Sequence, residues 1–572
     1  MVVRPDPSSS LQPDPVFISH DERVRPVGTR GPLAGRRLAV KDNIDVAGFA
    51  TTAGCPAFRY EPQRSASVVE RLEAAGMQVV GKTNLDQFAC GLVGTRSPYG
   101  PVPNSFDARY VSGGSSSGSA VAVARGQVEA SLGTDTAGSG RIPAGFNNIV
   151  GVKPTRGLIS TRGIIPACRH IDCVSIFAPT VADAMDVFAA AVAPDVDDPH
   201  SRVLALDARP LPAQFRFGIP DAGHLTFFGD ALYEAAFHDA LARIAAFGGR
   251  QATFDFAPMA EVAESLYEGA WVAERYAAIK PFYDAHADAI EPTVRTIIGN
   301  GRRYSATDLF AALDAVGLAK QRAAALWDTF DLLVVPTAPT TYTIEQLIAD
   351  PIALNRNLGT YTNFVNLLDM AAIAVPSAIL SNGLPFGITL IGPAGSDLRL
   401  AEFAQRFHHA TGLTMGATGQ ALPPPRALAR PADTTTPTVL VAVVGAHLSG
   451  LPLNGQLTER GARLESTVRT AARYRFYALP GTTPPKPGLV RVASDGVAIE
   501  AEVWRMPIEH YGSFVAAIPA PLGIGPIELS DGSTVQGFLC EATAVVGAED
   551  ISHHGGWRAY RTSGGGAATG KP

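Results

Sequence analysis

Cysteine is scarce in this chain of 572 residues. Cys55, Cys90, Cys168, Cys173 and Cys540 are odd in number and lack the paired spacing of a metal site. That excludes a disulfide framework and a cysteine-ligated metal centre, and it points to reduced thiols. The 12 histidines do not cluster with cysteines at ligand spacing either, so no metal and no cofactor are expected. Long apolar runs are missing: VLVAVVGA (439–446) falls far short of the width of a bilayer. Charge of one sign is also missing. Lys+Arg 47 against Asp+Glu 53 gives a net charge of -6, spread without long blocks, which leaves no basic surface for nucleic acid and no attraction to an anionic membrane. The opening MVVRPDPSSSLQPDP has no apolar centre, reads as no signal peptide, and sets the cytoplasm as the expected location.

What is present is a large, well-packed α/β composition: 46% apolar residues, 17% charged, Gly 57 and Pro 44. The length predicts two or more domains. RRLAVKDNIDV (36–46) reads as a buried strand running into a polar turn. RSASVVERLEAAG (64–76) reads as a helix stopped by Gly76, and MQVVGKTNLDQFA (77–89) as a strand and loop. Helical periodicity covers 229–281 and 304–330, an insert of about 229–330. DLLVVPTAPT, AIAVPSAI and GLPFGITLIGP read as strands of the same sheet, and AEFAQRFHHAT (401–411) as the last helix of a first domain spanning 1–420. ALPPPRALARPADTTTPT (421–438) reads as a linker. Short β-like pieces then predict a small β-rich domain over 439–562, with a helix at 510–518 and a disordered tail at 563–572.

The chemistry is concentrated in three pieces: VKDN around Lys41, GGSSSG (113–118) and GTDTAGSGR (133–141). Serine needs a neighbour to remove its proton, yet no histidine lies between His20 and His170. A lysine buried in a glycine-lined site has its pKa lowered by desolvation and can take that proton. Each piece alone is weak, because a Gly-Ser run is often a turn and most lysines are solvated. The Gly-Lys-Ser/Thr ending of a phosphate-binding loop is absent.

Together the pieces resemble the amidase signature family over roughly residues 25–415. The resemblance implies a Ser-cisSer-Lys triad of Ser139 as nucleophile, Ser115 as bridging serine in a non-proline cis peptide, and Lys41 as base. It also implies an oxyanion hole from the backbone amides of Thr136, Ala137, Gly138 and Ser139, with Asp135 and Arg141 as a buried scaffold pair. Within the family, NLDQFACGLVGTRSPYGPVPNSFD (84–107), SLYEGAWVAERYAAI (265–279) and the segment beginning VVGAHLSGLPLN resemble the branch that hydrolyses allophanate. That branch has a C-terminal domain of gamma-glutamylcyclotransferase-like fold.

This resemblance implies a small anionic amide substrate held by Tyr267 and Arg275, with Gly91, Leu92 and Asn43 completing the pocket. Tyr267 and Arg275 lie eight residues apart, so one helical face would present both. By spacing alone the pair reads equally as a core-edge tyrosine and a surface arginine. In the C-terminal domain His447, Asn454 and Glu502 are the candidates, either for processing the N-carboxycarbamate product or as parts of a structural domain. A homodimer is also implied. The rival readings are a small-amide amidase of broader specificity with a structural C-terminal domain, and a non-enzymatic scaffold protein like those of amidotransferases.

Overall fold

The structure, a computed structural model, describes residues 15–25, 28–431 and 438–563. The chain divides into two units between residues 434 and 435, and each unit closes around an apolar cluster of its own. The opening arm as far as residue 14, residues 432–437 of the expected linker and the tail beyond Ser563 lie outside the described residues. No helix among the described residues is long and apolar enough to cross a membrane.

The first unit is an α/β structure on an 11-stranded sheet. In spatial order its strands are Phe17–His20, Gln78–Thr83, Arg37–Lys41, Ala130–Asp135, Cys173–Ala178, Val150–Lys153, Ala371–Ile379, Pro385–Gly392, Leu332–Pro336, Phe215–Pro220 and Gly249–Phe254. Arg37–Lys41 runs parallel to both of its neighbours, whereas the pairs around Ala371–Ile379 are antiparallel, so the sheet is mixed. Gln78–Thr83, Ala130–Asp135 and Cys173–Ala178 are buried at every residue. This is why they read as nearly unbroken apolar or small-residue runs rather than as alternating ones. The helix Ser117–Ala124, SGSAVAVA, is likewise buried at every residue. Its small side chains let the serine-bearing loop ahead of it sit deep in the unit.

The region of helical periodicity differs from expectation. Residues 229–281 hold the helix Ala231–Ala246, the edge strand Gly249–Phe254, and the helices Ala257–Glu268 and Trp271–His286. Gly248, at φ +93°, ends the first helix. The next six residues then pair in parallel with Phe215–Pro220. As a half-exposed edge strand, GRQATF shows too little apolar alternation to stand out from the flanking helices.

The second unit carries a five-stranded mixed sheet in the order Arg463–Arg469, Glu500–Pro507, Thr438–Val443, Thr534–Cys540, Leu522–Glu528. A three-stranded sheet of Pro487–Arg491, Tyr474–Ala478 and Glu549–Asp550 accompanies it, with the helix Ile508–Ala516 beside them. Val441, Val443, Tyr474, Phe476, Trp504 and Phe538 belong to its core. Arg463–Arg469 and Leu522–Glu528 are the longer strands of this unit that the sequence pattern did not reveal. Both are sheet edges that are mostly exposed or half-buried, and so have no apolar stripe to advertise them.

Candidate active site

Lys41 closes the strand Arg37–Lys41 and is completely buried. Its Nζ donates to Ser115 Oγ at 2.8 Å and to Thr134 Oγ1 at 2.8 Å. The hydroxyls of Ser115 and Ser139 are 3.0 Å apart. Lys41, Ser115 and Ser139 therefore form one continuous chain, and Ser139 at 3% exposure forms its end. The Gly114–Ser115 peptide is cis. Burial lowers the Lys41 amine to about 7, against the opposing pull of Asp86, Asp172 and Asp135. An amine brought down to about 7 is in substantial part neutral at neutral pH, and the neutral form can accept a proton relayed through Ser115, which gives Ser139 nucleophilic character.

The loops around this chain are held by carboxylates. Asp135 accepts from the amides of Gly138 and Gly140 and from Arg141 Nε and Nη2. Arg141, fully buried, donates further to Thr362 O and Asn366 Oδ1. Asp86 accepts from the amides of Val93, Gly94 and Arg96. A Cβ at Gly114 would collide with Asp86 Oδ2, and one at Gly138 with the side chain of Thr362. These close approaches, together with Gly138 at φ +133°, explain the glycines of the motif.

Asn43 joins the chain through Nδ2, which donates to Ile165 O at 3.0 Å and Thr134 Oγ1 at 3.3 Å, while its buried Oδ1 has no partner. Leu92 donates its amide to Asn355 Oδ1 at 2.8 Å. Gly91 packs against Asp86. Arg275, 4% exposed, has its Cζ 5.5 Å from the ring centroid of Tyr267. Its Nε is buried without a partner, and it forms no ion pair among the described residues.

A family model for amidases matches residues 19–401. The chain belongs to the amidase family. A second family model, described as the allophanate hydrolase C-terminal domain, matches residues 439–562. The solved allophanate hydrolase of Kluyveromyces lactis is 42% identical with a TM-score of 0.86, the match covering 98% of this chain and 94% of that one. Urea amidolyase of Saccharomyces cerevisiae is 44% identical over 543 residues, which is 92% of this chain and 30% of that protein. The chain thus spans about 30% of the length of the curated urea amidolyases it matches. A glutamyl-tRNA(Gln) amidotransferase subunit of Halobacterium salinarum is 34% identical, the match covering 64% of this chain and 92% of that one.

Three expectations for this amidase-family chain need correction. Tyr267 and Arg275 do not share one helix. Gly269, extended at φ −121°, ψ −176°, separates Ala257–Glu268 from Trp271–His286, and the two residues meet across the break. The amide of Gly138 is not available to an oxyanion, because it is committed to Asp135 Oδ1 at 2.9 Å. Glu502 is not an acid poised at a site. It accepts from Ser449 N and Oγ, Trp504 Nε1 and Arg558 Nη2. Burial alone would raise its carboxyl, but the bonds from Arg558, Ser449 and Trp504 outweigh that and hold it below the usual range.

His447 lines a cavity of about 240 Å³ with Gln456, Lys486, Pro484, Leu522 and Phe538. Its Nε2 lies 3.0 Å from Gln456 Oε1, and its ring stacks on Phe538 at 4.9 Å. Burial lowers its pKa. Asn454 donates to the His447 carbonyl oxygen at 2.9 Å and does not line the cavity. Of the three C-terminal candidates, His447 is the one that lines this cavity.

Two residues of the first site escaped sequence reasoning. Thr134 is the second partner of Lys41, and the only available signal was its place two residues along GTDTAGSGR. Asp172, buried, accepts from the Thr136 hydroxyl and from the amides of Ala167 and Cys168. It belongs to no recognisable motif.

Proposed function

We propose that the chain hydrolyses allophanate (urea-1-carboxylate) to ammonia and carbon dioxide through a seryl acyl-enzyme. The observation that carries this reading is Arg275: a buried guanidinium with no carboxylate partner among the described residues, in the same unit as a Lys-Ser-Ser chain. An unpaired buried cation is costly, and an anionic substrate supplies what it lacks. The likeness to the K. lactis allophanate hydrolase over nearly the whole chain supports the same substrate.

In this reading Ser139 Oγ attacks the terminal amide carbonyl, and its proton passes through Ser115 to Lys41 Nζ. The amides of Thr136, Ala137 and Ser139 receive the oxyanion, each worth about 3 kcal/mol when aligned. The relay returns the proton to the departing nitrogen, ammonia leaves, and water cleaves the acyl-enzyme to N-carboxycarbamate. Tyr267 and Arg275 hold the carboxylate, the guanidinium offering a planar fork. Asn43 Oδ1 and the backbone at Gly91 and Leu92 complete the pocket.

We read the second unit as gamma-glutamylcyclotransferase-like, on the strength of its mixed sheet and the loop after Thr438–Val443 that carries His447. There the N-carboxycarbamate dianion opposes the burial that lowers His447, so the imidazole takes up a proton and delivers it to the nitrogen as carbon dioxide departs, with Lys486 of the same cavity wall attracting the dianion. The carbamate left behind breaks down to a second ammonia and carbon dioxide.

The test is ammonia release from allophanate by the purified chain, beside Ser139→Ala and with malonamide as a neutral comparison. Release that needs Ser139 and strongly favours allophanate is expected. Activity on malonamide alone sinks the substrate assignment and leaves the serine chemistry standing.

A further inference from the structure

We propose that Asp172 is a positioning residue that fixes the oxyanion loop at Thr136 and ties it to the helix carrying Arg275. The proposal rests on the serine chemistry read above, not on the identity of the amide.

The connection is traced bond by bond. Asp172 Oδ1 accepts from the Thr136 hydroxyl, and Thr136 opens the loop that leads to Ser139. The same carboxylate accepts from the amides of Ala167 at 2.9 Å and Cys168 at 3.2 Å, which turns residues 167–172 back on themselves. That loop reaches the Trp271–His286 helix at two points. Cys168 Sγ lies 3.7 Å from Trp271 O, and His170 Nδ1 lies 2.6 Å from Glu274 Oε1, one residue before Arg275. Asn366 Nδ2 bonds to Asp135 O at 2.7 Å and Ile171 O at 3.0 Å, so the two loops are also joined at the backbone. The 167–172 loop is thus a strut between the reacting carbonyl and the carboxylate clamp, and Asp172 is its fastening at the reaction end.

An alanine at 172 offers no acceptor to the two backbone donors or to the Thr136 hydroxyl, whereas an asparagine can turn its oxygen to the amides and its NH2 to Thr136 Oγ1 and so preserves the tie. The carboxylate also acts electrostatically. The charged groups around Lys41 are Asp86, Asp172 and Asp135, all favouring its protonated form. Asp172 itself is raised to about 6 by burial, against the bonds from Thr136 and Cys168, with Glu274 adding to the rise, and Arg275 also lies within its field.

The experiment uses the full chain with Asp172→Ala, Thr136→Val and the double variant. It reads kcat and KM for ammonia release across pH, and the rate at which an organofluorophosphonate modifies Ser139. Expected are a drop in kcat of roughly 30- to 100-fold with KM within about threefold for either single variant, and a double variant no worse than the singles. Slowed modification of Ser139 and an acid limb moved to lower pH in Asp172→Ala are expected as well. Independent, multiplying losses, or an unmoved acid limb, overturn the proposal. Because the phosphonate labels whatever amide is the true substrate, failure of the allophanate reading alone leaves wild-type labelling intact. Should Asp172→Ala not fold, Thr136→Ser retaining more labelling rate than Thr136→Val supports the strut, and equal loss in both refutes it.

Discussion

The guanidinium of Arg275 lies 5.5 Å from the centre of the Tyr267 ring, although Gly269 places the two residues on successive helices. The ring covers one face of the cation and leaves its hydrogen-bonding edge unpaired. On the allophanate reading, removing Arg275 affects the acidic end of the substrate. Arg275→Ala is expected to lower kcat/KM for allophanate by about 100-fold or more while changing malonamide turnover far less. Equal losses on both amides would show that Arg275 acts only through the fold.

Ser139→Ala, Ser115→Ala and Lys41→Ala act on one continuous chain, so their effects do not multiply. Each is expected to reduce ammonia release by at least about 1,000-fold, and the triple variant little further. Steady-state rates of the single and combined variants decide the point.

The pH profile follows from Lys41. The side chain accepts a proton only when neutral, and its value is lowered by burial to about 7. Below that pH it is protonated, so kcat/KM should fall about tenfold per unit on the acid side and level off above it. A limb set near pH 4 would point to a carboxylate base instead.

The same burial weighs on stability. An unfolded lysine binds its proton more tightly, near 10.5, than the folded one does. Folding is therefore penalised below pH 10.5, increasingly so as the pH falls towards about 7 and constantly beneath that. Lys41→Met is expected to stabilise the inactive chain by about 1–4 kcal/mol at pH 7, with the gain shrinking as the pH rises from about 7 and lost above about 10.5. Denaturant unfolding at the two pH values measures it.

His447→Gln tests the second unit. The first ammonia from allophanate should appear at the wild-type rate, while enzyme-dependent release of carbon dioxide falls by about 100-fold. Matched rates for both products would leave the cavity around His447 without a catalytic part.

The relay was legible because its residues lie in short local motifs. Lys41, Ser115 and Ser139 stand in VKDN, GGSSSG and GTDTAGSGR, where the glycines required by Asp86 and Thr362 are themselves visible. The pairing of Tyr267 with Arg275 comes from the family resemblance, and the single helical face that their spacing offers is not how they meet, since nothing in a periodic pattern reveals that Gly269 adopts an extended conformation. Asp172 was invisible because its importance comes from bonds to Thr136 and to two backbone amides, which a lone Asp in PACRHID does not announce. Glu502 misled for the converse reason. An acid within a strand looks available until Ser449, Trp504 and Arg558 are brought to it by folding. The strands Arg463–Arg469 and Leu522–Glu528 went unseen because edge strands carry little apolar signal.

The complete burial of Lys41 turns its titration into a gauge of hydration. With no imidazole in the relay, the pH at which the chemistry switches on reports how dry the glycine-lined chamber is. Any change that admits even one water to the amine pushes the acid limb upward, and does so without touching a reacting atom. Drift in the pH optimum across variants or solvents that leave Asp86, Asp135 and Asp172 in place thus measures leakage into the site.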